Sequence, residues 1–184
     1  LRLNDGATIS NLDLGFTLQT GVAQSQLTEN FDAVTAPALP SGWTAALLGT
    51  GTAWQTSATT PDTAPNSVFA ANPAVVTDNR LTSPEVLLPP GSYVPRLSFR
   101  HSYNTENTFD GGVLELSVDG GAFADIVTAG GSFVAGGYNG TLSTNASFQN
   151  PLVGRAAWTG NSGTYVSTVV DLPASAAGRR VQLR

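Results

Sequence analysis

The chain lacks cysteine, methionine and lysine altogether, and it contains a single histidine. Without cysteine it cannot form a disulfide, hold zinc through thiolates or use a cysteine nucleophile. One histidine is too few for the ligand set of a zinc protease. Charged residues make up only 11% of the chain, which disfavours solvent-exposed helices, because their wet face usually carries many charges. No apolar run reaches the roughly 18 residues of a membrane-spanning helix.

The charge balance is acidic, with a formal net charge of -5 at pH 7 and eight basic residues, all of them arginine. Binding to phosphate backbones needs clustered positive charge. The arginines are scattered apart from one adjacent pair, so the sequence argues against a nucleic-acid partner. The excess of carboxylates leaves ligands for a cation such as calcium.

Several segments alternate apolar and polar residues as half-buried β-strands do. In 96–103 the residues Leu97, Phe99, His101 and Tyr103 share one face, and the segments 113–118 and 165–172 alternate in the same way. Asp119-Gly120 follows the second of these and predicts a hairpin turn. With no helical period of useful length, the pattern predicts an all-β sandwich or barrel.

The two ends of the chain differ from the middle. Residues 8–18 alternate as a strand, and 19–28 are small and polar, as in a linker. We interpret 1–27 as the tail of a preceding domain plus its connection, and 28–184 as the sandwich. The alternative is that 8–18 forms a strand of the main sandwich. Leu1 falls within an apparent sequence pattern, and Arg184 falls within an apparent strand. We therefore expect the chain to be a piece of a longer protein.

The stretch 129–163 is rich in glycine, serine and asparagine and predicts long loops, which often form functional surfaces. Isolated large residues within it are expected to anchor these loops in the core: Phe133, Tyr138, Leu142, Phe148, Leu152 and Trp158.

Five short sequence segments together resemble those of a known family. They are Asn-Phe-Asp at 30–32, Leu-Pro-Ser-Gly-Trp at 39–43, Asp-Asn-Arg-Leu-Thr-Ser-Pro at 78–84, Leu-Ser-Phe-Arg-His at 97–101, and the run from Asp110 to Gly121. In this order they resemble the MAM-like jelly-roll modules of bacterial exported proteins, of the cleaved-adhesin and choice-of-anchor type. Similar modules are appended to secreted metallopeptidases, and the segments 136–139, 150–152 and 158–160 resemble that peptidase-associated variety.

The resemblance covers residues 29–184 and implies a jelly-roll β-sandwich of two antiparallel sheets. It also implies a non-catalytic accessory or adhesion module, secreted or at the cell surface. Its partners would be the neighbouring domains of the parent protein, or an extracellular protein or glycan. Modules of this kind end with a further strand beyond the position of 181–184, so the resemblance implies that this chain stops before its last strand.

His101 is the one residue that a Ser-His-Asp hydrolase could use. It shares a strand face with Leu97, Phe99 and Tyr103, so a packed or hydrogen-bonded core histidine is the favoured interpretation. No Gly-x-Ser-x-Gly elbow is present. Thirteen acidic residues leave a glycosidase pair open, although nothing singles a pair out.

The metal hypothesis is a structural calcium, which takes oxygens from carboxylates, amides and backbone carbonyls. Glu29 and Asp32 stand at the start of the first expected sandwich strand, and Glu106 and Asp110 lie in a polar loop. In related jelly rolls, cations commonly pin such loops to strand ends. The alternative is that Asp110 makes a plain turn and Glu106 is a solvated side chain.

Aromatic residues raise a carbohydrate hypothesis, because sugars stack on exposed rings. Trp43, Trp54 and Trp158 are better explained by core packing, and Tyr138, in a glycine-rich loop, is the ring expected to be exposed and to bind a ligand. The sequence thus predicts a non-catalytic module. A carbohydrate-binding module, a glycan- or peptide-hydrolysing enzyme fragment and an inert spacer remain as alternatives.

Overall fold

The computed structural model describes residues 26–184. The predicted strand at 8–18 and almost all of the predicted tail at 1–27 lie outside the described residues. Within them the chain forms thirteen strands: β1 Thr44–Leu48, β2 Gln55–Ser57, β3 Ser67–Phe69, β4 Asp78–Thr82, β5 Val86–Leu87, β6 Arg96–His101, β7 Glu115–Val118, β8 Ala124–Asp125, β9 Ser132–Ala135, β10 Gly140–Thr141, β11 Ala156–Ala157, β12 Val166–Asp171 and β13 Arg180–Leu183. The described part holds two 3-10 turns, Ala146–Phe148 and Ala174–Ala176, and no α-helix.

Two larger antiparallel sheets carry the core. One has the order β6-β12-β9 and the other the order β5-β13-β7-β8. Buried side chains from both sheets and their connections form one hydrophobic cluster: Leu88, Leu114, Leu116, Ile126, Trp158, Val170, Leu172, Ala176 and Val181. The prediction of an all-β, sandwich-like fold is confirmed. No helix in residues 26–184 is long and apolar enough to cross a membrane.

Strand β6 shows how the sequence pattern produces this packing. Leu97 and Phe99 pack against the core cluster, while the residues between them are exposed. The register sets Leu97 opposite Val170 and Phe99 opposite Thr168 on β12. Both β12 partners are 0% exposed, so the apolar faces of the two strands cover the same side of the sheet.

The predicted hairpin at Asp119-Gly120 is confirmed. Strands β7 and β8 pair antiparallel, Asp119 and Gly120 have φ values of 49° and 72°, as a type I′ turn requires, and Gly121 donates its N–H to the Val118 carbonyl at 3.0 Å. The second strand of this hairpin is short and spans only Ala124–Asp125. The reason is that the Asp125 carboxylate and carbonyl accept N–H groups from the following residues and turn the chain.

The prediction of long loops over 129–163 is incomplete, because this stretch contains β9, β10, β11 and one 3-10 turn. Strand β9 has a bulge, since Ala135 faces Val169 while Phe133 faces Val170. Strands of two to four residues interrupted by glycine are too short to show a clear alternation of apolar and polar residues in the sequence. Of the expected anchors, Leu142 and Trp158 are buried and Phe148 is 44% exposed.

The region before β5 forms two separate two-stranded ribbons, β1-β4 and β2-β3. The loop after β2 contacts the three-stranded sheet through an ion pair between Asp62 and Arg100 and through the hydroxyl of Tyr165, which donates to the Thr60 carbonyl at 2.8 Å. The loop after β2 therefore contacts the outer side of β6 and the residue that precedes β12.

Candidate functional site: the Trp158 cluster and the Arg155 network

Trp158 is the centre of an aromatic cluster inside the sandwich. The indole is 6% exposed. Four rings pack edge-on against it, and their centroids lie 4.7 Å (His101), 4.8 Å (Tyr138), 5.7 Å (Phe133) and 5.8 Å (Phe99) away. Such T-shaped pairs stabilise beyond the burial of their area. The cluster brings together rings from β6, from β9 and its following loop, and from the residue after β11.

The carbonyl of Gly136 holds this cluster in place. It accepts a hydrogen bond from Trp158 Nε1 at 2.9 Å and another from the Thr168 hydroxyl at 2.7 Å. Gly136 follows the β9 bulge with φ at +62°, and a Cβ there would lie 2.2 Å from the Ser167 carbonyl oxygen. Only glycine brings the backbone this close to β12.

His101 belongs to the same network. Its Nε2 lies 3.0 Å from Thr168 Oγ1. Thr168 has one hydroxyl proton and donates it to the Gly136 carbonyl, so Nε2 must carry the proton of this bond. Burial lowers the pKa of His101 to about 4. The imidazole is therefore neutral at pH 7 and has no carboxylate partner among residues 26–184.

We expect the free energy of unfolding to fall as the pH drops from 6.5 to 4. The unfolded histidine titrates near 6.5 and the folded one near 4, so the unfolded state binds more protons throughout this interval. Allowing for the partial exposure of the ring, the loss is about 2 kcal/mol. Urea unfolding at each pH measures it.

His101→Phe is the matched control, because it keeps a ring in the cluster but cannot titrate. Carboxyl groups such as Asp62 and Asp171 have a lowered pKa, so most of their contribution to stability is lost below pH 4. The variant should show a nearly flat stability between pH 6.5 and 4. A slope equal to that of the wild type would assign the effect to other groups.

Tyr138 is not the exposed ring that the glycine-rich context predicts. It packs on Phe133 and Trp158. Its hydroxyl oxygen accepts the N–H of Leu114 at 2.9 Å and lies 3.1 Å from Asp125 Oδ2. Burial raises the pKa of Tyr138 above its usual value. A flat sugar-binding platform needs a solvent-facing ring, and this ring is half-buried in the core cluster.

Beside Tyr138 lies a charge network that the sequence analysis missed. Arg155 donates from Nη1 to Glu115 Oε1 at 2.7 Å and from Nη2 to Asp125 Oδ2 at 2.8 Å. Arg184 donates from Nε to Glu115 Oε2 at 2.7 Å. The two carboxylates are cross-strand neighbours on β7 and β8, and two cations balance them. This group is called the Arg155 network below.

The Arg155 network is partly buried. The side chains of Glu115 and Asp125 are 12% and 19% exposed, and that of Arg155 is 28% exposed. Burial by itself lowers the pKa of Arg155, but the hydrogen bonds to the two carboxylates outweigh it and the pKa is raised. Each of these two carboxylates accepts a hydrogen bond from the Arg155 guanidinium group. A glycosidase pair instead needs one protonated and one free carboxyl group.

Replacing Arg155 with leucine should lower the free energy of unfolding by about 2 kcal/mol, because Asp125 and Glu115 lose a partner in a partly buried place. Chemical denaturation at neutral pH measures this. Arg179→Leu is the control, since its ion pair with Asp119 is more exposed and its loss should change the stability much less. Equal effects would mean that burial does not decide the strength of these pairs.

Two of the four carboxylates of the calcium hypothesis accept backbone N–H groups. Glu29 Oε1 accepts the N–H of Phe31 at 2.7 Å, and Asp32 Oδ1 accepts the N–H of Asn66 at 2.9 Å. These residues lie in a turn, and the first strand begins only at Thr44. The expectation that they stand at the start of a strand was therefore wrong, because capping of backbone N–H groups bends the chain there.

Glu106 and Asp110 are brought together by another turn. Asp110 donates its N–H to the Glu106 carbonyl at 2.9 Å, and the Asp110 carbonyl accepts the Thr159 hydroxyl at 2.6 Å. Within residues 26–184, no three histidine, cysteine or acidic side chains are grouped to hold a metal ion. Calcium also binds through backbone and amide oxygens, so the calcium site stays a prediction.

Open depressions on the surface of residues 26–184 include two that are defined by their lining residues. One, of about 500 Å³, is lined by Asp32, Ala33, Val34, Thr35, Ala36, Ala58, Pro65 and Asn66. The other, of about 360 Å³, lies over β6 and β12. Neither depression includes His101 or the Arg155 network.

Comparison of the chain with protein-family models, with curated proteins and with solved structures found no match.

Proposed function

We propose that the chain is a non-catalytic β-sandwich module of accessory or adhesion type within a larger secreted or surface protein. The exported location and the jelly-roll order of connections rest on the sequence resemblance. The neighbouring domains of the parent protein are its first expected partners, with an extracellular protein or glycan as a further one.

The environment of His101 carries this proposal. General acid–base chemistry needs a group that titrates near the working pH and reaches a substrate. His101 is neutral, is bonded to Thr168 and is packed against Trp158. The carboxylates of the Arg155 network are neutralised by guanidinium groups. Both arrangements stabilise a fold, and neither presents a free acid, base or nucleophile to a cleft.

An activity screen tests the non-catalytic role. The full chain should release no product above the protein-free rate from aryl glycosides or from a quenched peptide library. His101→Phe and Glu115→Gln serve as the decisive variants. Turnover by the wild type that disappears in either variant would establish an enzyme and contradict the proposal.

A structural calcium remains part of the proposal and has a direct test. A cation held at 100 times its dissociation constant stabilises a fold by about 2.7 kcal/mol. Removing it with EDTA should therefore lower the melting temperature, and added calcium should restore it. Asp32→Asn and Asp110→Asn, tested one at a time, would show which turn holds the ion. An unchanged melting curve removes calcium from the proposal.

A further inference from the structure

Asn139 fastens the chain just before β10 to the residue that follows Trp158. Its Nδ2 donates to the Thr159 carbonyl at 3.0 Å, and its Oδ1 accepts the Thr159 N–H at 2.8 Å. Its own N–H donates to the Ala157 carbonyl at 3.1 Å. Thr159 is 2% exposed. The pair of side-chain bonds to Thr159, called the Asn139 clamp below, therefore holds β10 and β11 together beside the aromatic cluster.

The residue after Asn139 has to be glycine for this contact to form. A Cβ on Gly140 would lie 2.7 Å from Cγ2 of Thr159, so a larger residue would push the two segments apart. Glycine allows the close approach of the backbone. The clamp therefore sets an asparagine directly before a glycine, and this is the only Asn-Gly pair in the sequence.

An asparagine that precedes glycine can lose its side-chain amide without an enzyme. The Gly140 nitrogen attacks Cγ of Asn139, the new N–C bond closes a succinimide ring, and the bond from Cγ to Nδ2 breaks. The glycine N–H proton leaves with Nδ2 as ammonia. Water then opens the ring at either carbonyl and gives aspartate or isoaspartate. Glycine favours the attack because it has no Cβ and its backbone rotates freely.

In the folded chain the Asn139 clamp opposes this reaction. Asn139 is exposed, so water reaches it, and its protection has to come from hydrogen bonds rather than from burial. The two bonds to Thr159 hold the carboxamide towards the neighbouring segment. Both bonds have to break before Cγ can turn onto the Gly140 nitrogen. Local opening or unfolding therefore precedes the reaction.

The product cannot rebuild the clamp. One oxygen of an aspartate at position 139 still accepts the Thr159 N–H, but the other oxygen faces the Thr159 carbonyl, where the amide of Asn139 donates. An ionised carboxylate has no proton to donate, so two acceptors meet and a hydrogen bond is lost. Isoaspartate also lengthens the main chain by one carbon, which shifts β10 against β11.

We propose that Asn139-Gly140 is a site of spontaneous deamidation that the folded state protects, and that its reaction makes unfolding of this chain irreversible. Chemical modification of the unfolded state is one of the ways in which stability becomes a matter of rates rather than of equilibrium. The site needs no substrate, partner or export, so it goes beyond the non-catalytic role proposed above and stands or falls separately.

Peptide mapping of the full chain by mass spectrometry tests the protection. Samples are kept at mildly alkaline pH, one in native buffer and one in urea above the unfolding midpoint, and fragmentation distinguishes aspartate from isoaspartate. Deamidation of Asn139 should be about thirtyfold slower in the native sample, because two hydrogen bonds have to break first. Equal rates in the two samples would show that the clamp does not protect the site and would overturn the proposal.

Asn139→Ser tests the irreversibility, because serine has no side-chain carbonyl and cannot form the ring. In repeated cycles of heating and cooling, the refolded fraction of the wild type should fall in step with deamidation at position 139. The variant should melt at a lower temperature but recover the same fraction in each cycle. An equal progressive loss in both chains would mean that another process makes unfolding irreversible, against the proposal.

Asn139→Asp supplies the product of the reaction directly. It should melt at a lower temperature than Asn139→Ser, because serine sets no carboxylate against the Thr159 carbonyl. A melting temperature equal to that of the wild type would show that aspartate rebuilds the clamp, and the proposal would fail. Complete loss of folding in Asn139→Asp would be the extreme of the expected change, and the urea experiment on the wild type does not depend on it.

Discussion

Replacing Trp158 with alanine is expected to lower the free energy of unfolding by about 4 kcal/mol, the typical cost of deleting a large buried aromatic side chain. The indole contacts the rings of Phe99, His101, Phe133 and Tyr138. Its removal leaves a cavity bordered by four rings from β6, β9 and the loop after β9, which cannot all move inwards. Urea unfolding followed by circular dichroism measures the change, since loss of an indole alters the fluorescence itself.

Trp158→Phe separates the contribution of ring packing to stability from that of the indole hydrogen bond. Phenylalanine keeps part of the packing but cannot donate to the Gly136 carbonyl, which retains the bond from Thr168. Its cost should be about 2 kcal/mol. If Trp158→Ala cost no more than 1 kcal/mol or so, a typical effect of point mutation, Trp158 would not be the centre of the core.

Replacing Gly136 with alanine should cost about 3 kcal/mol. The new Cβ would lie 2.2 Å from the Ser167 carbonyl oxygen, so β9 must move away from β12. Overpacking of this kind costs about 1 to 3 kcal/mol, and positive φ adds about 1 kcal/mol for a non-glycine residue. The shift would also lengthen the hydrogen bonds from Trp158 and Thr168. Chemical denaturation measures the loss of stability, and the amide exchange of Val169, which is paired with Ala135 on β9, reports the movement of β9.

Gly120→Ala isolates the conformational part of this cost. Gly120 also has a positive φ, of +72°, but a Cβ there meets nothing within 4 Å. Its replacement should cost about 1 kcal/mol. Equal losses in the two variants would mean that the close approach of Gly136 to β12 contributes nothing to stability.

The strongly periodic part of the fold could be predicted from the sequence. Alternation over 96–103 and 165–172 predicts β6 and β12, and Asp119-Gly120 predicts the β7–β8 hairpin. Period-two patterning is clear there because one face of each strand is buried. The short strands within 129–163 could not be predicted, since their ends are fixed by hydrogen bonds to distant residues, such as Asn139 N to the Ala157 carbonyl at 3.1 Å.

The site was predictable only in part. His101 follows Leu97 and Phe99 on an apolar face, so its place in the core could be inferred from the spacing. The Arg155 network could not, because Arg155 is 40 residues from Glu115 and nothing in the local sequence links them. Tyr138 was placed wrongly, because a glycine-rich context suggests exposure although the loop folds back onto Trp158.

An NMR titration of the His101 imidazole tests the account most directly, since the chain has one histidine and its resonances are unambiguous. We expect a pKa near 4 in the folded protein, with the proton on Nε2 at neutral pH. A pKa at or above the ordinary value of 6.5 would place the ring in contact with solvent or an anion. That result would contradict a packed core histidine and, with it, the non-catalytic module.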